Sequence, residues 1–127
     1  MNSQRERGAI AVEMGILLPV LILLLLGIME FGRAFNAQIT LTSAAREGVR
    51  VMAITNDPVK AKAAASAAGS TLEPTLTNGD FSPAPTPCNP TVTGENTTFT
   101  ISYTLNTLTG IAGPFTMTGR GTMLCGG

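Results

Sequence analysis

Between Ala9 and Met29 the chain carries one charge, Glu13, in an otherwise apolar run. As a helix rising 1.5 Å per residue, this stretch reaches about 32 Å, which matches a hydrocarbon core of roughly 30 Å. It is predicted to span a bilayer, and that leaves room for one small soluble head. A carboxylate at the centre of a spanning helix costs roughly 2.5 to 3.5 kcal/mol, so such a residue marks function by default. Glu13 lies near one end of the span, which lowers the cost. Its bland reading is a side chain that snorkels to the headgroups.

Arg5 and Arg7 precede the span and Glu30 follows it. The positive-inside tendency therefore places the N-terminus in the cytoplasm and the chain beyond about Phe31 outside. A cleaved secretory signal is the competitor, because it too has a basic start and an apolar core. The stretch Glu30-Phe31-Gly32-Arg33-Ala34-Phe35-Asn36-Ala37 speaks against it, with charged and aromatic residues where a short neutral cleavage step belongs.

The 127 residues include no histidine and no tryptophan, two cysteines and a net charge of zero. Without His, and with few carboxylates in the soluble part, the ingredients of a triad, a metal centre or a tuned acid and base pair are missing. The composition predicts a chain that is not an enzyme and needs no metal or cofactor. Nucleic acid is not an expected partner either, since no cluster of Lys and Arg is present to neutralise phosphates. Cys88 and Cys125 both follow the span, and an even pair outside the cytoplasm reads first as a disulfide. Two buried free thiols or half a metal site are the other readings.

Past Met29 the pattern turns amphipathic. Arg33, Asn36, Thr40, Ser43, Glu47 and Arg50 recur at steps of three or four, while Phe31, Ala34, Leu41, Ala45, Val49 and Met52 fall opposite, interrupted by Gln38. The helix is expected to continue to about Ile54. Asn56-Asp57-Pro58 then reads as a stop and restart, with Asp57 an N-cap and Pro58 at the first helical position of a short second helix ended by Gly69. Lys60 and Lys62 read as solvated. The segment Phe81 to Pro90 holds too many prolines for regular structure. Alternation predicts strands over Thr98 to Leu105 and Phe115 to Cys125, with a weaker one near Thr91 to Thr93. The expected fold is α+β: a long N-terminal helix, a short second helix and a three-stranded antiparallel sheet resting one face on the long helix. Its parts are a leader over 1–8, the span over 9–29, the amphipathic continuation over 30–55 and the head over 56–127.

Gly8, followed five residues later by Glu13 with the apolar run beginning at once, resembles the processing site of type IV-like prepilins. The larger string is Arg7-Gly8-Ala9-Ile10-Ala11-Val12-Glu13, then Leu18-Pro19, then Gly27-Ile28-Met29-Glu30-Phe31-Gly32-Arg33-Ala34, and finally Ala44-Ala45-Arg46-Glu47-Gly48-Val49-Arg50. In that order these blocks resemble the TadE-like family of pseudopilins from tight-adherence (Tad/Flp) pilus systems. The resemblance is close over residues 7 to 54 and loose in the Thr-rich head. It implies that a prepilin peptidase cuts between Gly8 and Ala9, and that Glu13 pairs with the freed amine of a neighbouring subunit. It also implies as partners other pilin or pseudopilin subunits, an inner-membrane assembly platform and the lipid of the cytoplasmic membrane. Pro19 cannot donate to the carbonyl of Gly15, so it should loosen the helix, either as a hinge for leaving the bilayer or as a harmless kink. The function expected is that of a minor pilin-like subunit. The alternative is a single-pass anchor whose disulfide-bonded head never enters a filament.

Overall fold

The computed structural model describes residues 3–126, with side chains from residue 6 onward. The elements are α1 (Ser3–Thr55), α2 (Pro58–Ala68), a 3-10 turn (Asn78–Asp80), β1 (Asn96–Leu105) and β2 (Phe115–Leu124). They fall into two compact units, the first ending at Arg33 and the second beginning at Ala34. Met1 and Asn2 of the expected leader lie outside the described residues.

The first unit is the N-terminal part of α1. Its most apolar 18-residue window has a mean hydropathy of 2.7 and buries nothing within the protein. Among the described residues, α1 is the one helix long and apolar enough to cross a membrane. The helix already includes Ser3 to Gly8, so the expected leader is helical where described.

The second unit is built on the remainder of α1. Ala37, Leu41, Ala44, Ala45, Val49, Met52 and Ala53 are buried there, at the three- and four-residue steps of one helix face. Asn56 ends α1 in the left-handed region at φ 50°, and its amide donates to the Met52 carbonyl at 2.9 Å. Asp57 then caps α2, accepting from the amides of Val59 (2.9 Å) and Lys60 (3.3 Å), with Pro58 at the first helical position as expected. Ala61 and Ala65 of α2 join the same core as Leu41, Met52, Leu72, Phe81, Phe99, Ile101 and Tyr103.

β1 and β2 form an antiparallel pair with Phe99 opposite Gly121 and Ile101 opposite Gly119. The buried face of β1 carries Thr97, Phe99, Ile101, Tyr103 and Leu105. The matching positions of β2 include two glycines because the strand lies against the backbone of α1. A Cβ on Gly119 would sit 2.6 Å from the Leu41 carbonyl oxygen, and one on Gly121 would sit 2.7 Å from that of Ala45. The helix reciprocates at Gly48, where a Cβ would lie 2.7 Å from the Phe99 ring. Three absent side chains thus let helix and sheet close on each other.

Among the described residues the sheet has two strands, not three. Thr91 to Thr93 is turn. The side chain of Asn89 takes the Thr91 amide (3.1 Å) and hydroxyl (2.7 Å), the Val92 amide donates to the Asn89 carbonyl (3.2 Å), and Gly94 has a φ of 81°. A segment folded onto its own Asn side chain has no extended backbone to offer a ladder. The Pro-rich segment borders β1 instead, with the Thr97 hydroxyl donating to the Thr86 carbonyl (2.5 Å) and the Ser102 hydroxyl to that of Ser82 (3.2 Å).

Three expectations about faces change as well. Phe31, expected on the buried side, is 69% exposed. Arg33, expected on the polar side, is half-buried. Lys62 is not merely solvated, because its ammonium lies 5.8 Å from the centre of the Phe81 ring, and that ring meets Phe99 edge-on at 5.6 Å.

Candidate functional site

The residues singled out at the N-terminus all lie on α1. Gly8 has open space around it, and Ala9 and Glu13 are exposed. One helical turn separates Ala9 from Glu13, so both occupy the same side of the helix, about 6 Å apart along its axis. Around Glu13 the surface is apolar: Ile10, Val12, Met14, Ile16 and Leu17 are each more than half exposed. No salt bridge or hydrogen bond engages Glu13 among the described residues. A carboxylate presented on an apolar cylinder can accept a cation from outside its own chain. Pro19 lies inside α1. Glu30, expected at the exit of the span, is buried.

The cysteines are brought together. Cys88 and Cys125 form a disulfide across a sequence separation of 37 residues, with Cα atoms 5.8 Å apart. Sequence reasoning missed what holds the Cys88 end. Asn56 donates its side-chain amide to the Cys88 carbonyl (3.0 Å) and accepts the Cys88 backbone amide on its side-chain oxygen (2.7 Å). The residue that turns the chain out of α1 thereby clamps the disulfide loop. The local signal was available, since an Asn directly after a helix tolerates left-handed backbone, but its second role depends on a segment 32 positions away.

Where α1 carries the block Ala44-Ala45-Arg46-Glu47-Gly48-Val49-Arg50, its outward side pairs Arg50 with Glu47, the two nitrogen-to-oxygen distances being 3.1 and 2.7 Å. The hydrogen bond from Arg50, aided by its charge, holds the Glu47 carboxyl below the ordinary range and the Arg50 guanidinium above its own. A carboxyl with a lowered folded pKa adds stability above its unfolded pKa and loses that contribution as pH falls through the folded value. The pair is exposed, so the effect on stability is small. The Glu47 carboxyl resonance is expected to titrate below the ordinary range for glutamate, and Arg50→Gln is expected to move its midpoint upward. Equal midpoints in the two proteins by NMR would show that the fork does not persist in solution.

Over residues 8–50 the chain matches the family model described as TadE-like protein. The TadE-like segment thus runs from Gly8 to Arg50. It takes in the glycine, the carboxylate, the apolar run and the block that seats Phe99 at Gly48, about a third of the chain. A TadE-like segment on a candidate membrane anchor points to a Tad pilus-associated protein. No curated protein and no solved structure matches the chain. The end of α1 from Val51 and the whole head lie outside the TadE-like match.

Proposed function

We propose that the protein is a minor, pilin-like subunit for biogenesis of a Tad pilus or a related secretion apparatus. On this reading α1 anchors it in the cytoplasmic membrane with the N-terminus inside and the disulfide-bonded head outside. A prepilin peptidase cuts between Gly8 and Ala9, and the new Ala9 amine of one subunit pairs with Glu13 of the next. The observation that carries this is Glu13 itself, unpaired on an exposed apolar helix five residues after Gly8, inside the TadE-like match.

The chemistry follows from the helix. Before cutting, the Ala9 nitrogen is a peptide amide and Glu13 has no cation beside it. Hydrolysis turns that amide into an ammonium, which a carboxylate held in lipid can neutralise. Breaking such a buried pair by removing one partner costs roughly 3 to 5 kcal/mol, enough to reject a subunit out of register. The scissile bond lies within α1, so the helix must open there. Glycine favours that step, being about 1 kcal/mol poorer than alanine in a helix.

Intact mass and N-terminal sequencing of the protein extracted from membranes test the proposal. In cells that contain the peptidase the first residue is expected to be Ala9, and Gly8→Leu is expected to leave the leader in place. Glu13→Ala should spare cutting and reduce assembly. An uncut chain in such cells would leave the plain anchor, and normal pili with Glu13→Ala would remove the pairing role.

A further inference from the structure

The two edges of the sheet are treated differently. The Pro-rich segment closes the outer edge of β1, with the Thr86 amide reaching the Thr98 carbonyl at 3.4 Å and Thr97 returning a bond to Thr86. Along the outer edge of β2 the described residues make two bonds to α1, one within the strand and one just past its end. Gln38 of α1 donates to the Thr118 carbonyl at 3.2 Å, and the Gly126 amide donates to the Ala53 carbonyl at 3.1 Å. Because the Thr118 carbonyl points away from β1, antiparallel alternation turns the main-chain groups of Arg120 and Thr122 outward too. Beside them an open groove of about 660 Å³ runs along the junction of β2 and α1.

Arg46, Glu47, Val49 and Arg50 line one wall of this groove, and Arg120 and Met123 line the other. Arg50 is taken up by Glu47. Arg46 and Arg120 have no ion-pair or hydrogen-bond partner among the described residues, so the groove holds two uncompensated positive charges next to a free strand edge. Of the devices that blunt exposed edges, proline, a bulge and a cover are absent between Arg120 and Leu124, and the charge of Arg120 is the one that remains.

We propose that this groove binds an extended acidic segment of a neighbouring polypeptide. The segment adds as a strand to β2, bonding its main chain to Arg120 and Thr122 and placing two successive carboxylates, one toward each face of the sheet, on Arg46 and Arg120. The surplus of positive charge beside an open strand edge selects an acidic strand over an apolar helix. The site is independent of leader removal, because an uncut chain has the same groove.

The test uses the full chain in detergent micelles and a labelled peptide, Thr-Glu-Glu-Thr-Val, whose adjacent Glu side chains face opposite sides of a strand, alongside versions with Gln or Lys in place of Glu. The acidic peptide is expected to bind at least tenfold more tightly than the Gln peptide and to slow hydrogen exchange at the Arg120 and Thr122 amides. Arg46→Gln with Arg120→Gln should remove the preference for acid. Thr122→Pro deletes an outward-facing donor without touching the ladder to β1, and it should weaken binding at least tenfold. Equal binding of the Gln peptide would overturn the proposal. So would unchanged exchange at the two amides, or full competition by free glutarate at the peptide's own concentration, which would mean an anion site only. If Thr122→Pro disturbs the head, the exchange measurement on the unsubstituted protein decides.

Discussion

Gly119→Val is expected to destabilise the head by on the order of 3 kcal/mol, the upper range for forcing extra atoms into a packed core. The obstacle is backbone rather than a side chain that could swing aside: the new Cβ would stand 2.6 Å from the Leu41 carbonyl oxygen and 2.9 Å from its carbonyl carbon. β2 would have to lift from α1, drawing Gly121 off Ala45 and loosening Phe99 in its seat at Gly48. The protein supplies its own reporter. Its one tyrosine, Tyr103, is 1% exposed and donates its hydroxyl to the Pro74 carbonyl at 2.8 Å, and there is no tryptophan to mask it. Urea titration followed by Tyr103 fluorescence should show a clearly lower midpoint for Gly119→Val. Gly110→Ala is the contrast, because Gly110 has open space and a φ of 68°, leaving backbone strain of about 1 kcal/mol as the whole cost. Unchanged stability in Gly119→Val would mean that β2 does not seat on the helix as described.

The second large effect is expected from Cys88→Ser combined with Cys125→Ser. Closing a loop across 37 positions contributes about 4 kcal/mol in the chain-entropy account. That is a large fraction of the stability available to a small domain. The expected result is a strongly lowered urea midpoint, matched by reduction of the unsubstituted protein and insensitive to reductant in the double variant. The Asn56 clamp persists in that variant and holds the Cys88 loop near the end of α1. A midpoint unaffected by reductant in the unsubstituted protein would show that the bond constrains nothing that unfolding releases.

What could be read from sequence was local chemistry. The break at Asn56, the cap at Asp57, Pro58 in the first turn and the stop at Gly69 each depend on a few neighbouring residues, and all lie where expected. The alternation of β1 and β2 was equally plain, although β1 begins two residues before the predicted Thr98 and β2 ends at Leu124, one short of Cys125. The third strand failed because Asn89 bonds to the residue two positions on, a competition that hydropathy alternation does not register. The glycines of β2 were in phase with its apolar residues, yet nothing in the strand said that a helix backbone, and not a side chain, would fill their place. The groove was invisible for the same reason, since Arg46 and Arg120 line one groove only after β2 is laid beside α1. At the N-terminus the order of the blocks carried the reading, and the structure adds that Gly8, Ala9 and Glu13 share one helix.

The bond from Gln38 to Thr118 spans 80 positions, and it has a consequence for timing. Synthesis runs from the N-terminus, so the face of α1 bearing Leu41, Ala45 and Gly48 emerges long before the strands that cover it. Nonlocal closure of this kind is slow compared with helix formation. For that interval the newborn molecule shows bare aliphatic surface and an empty notch where an aromatic ring will later lodge. Within the head-forming part of the chain, a chaperone should therefore engage this stretch first and let go when the hairpin docks.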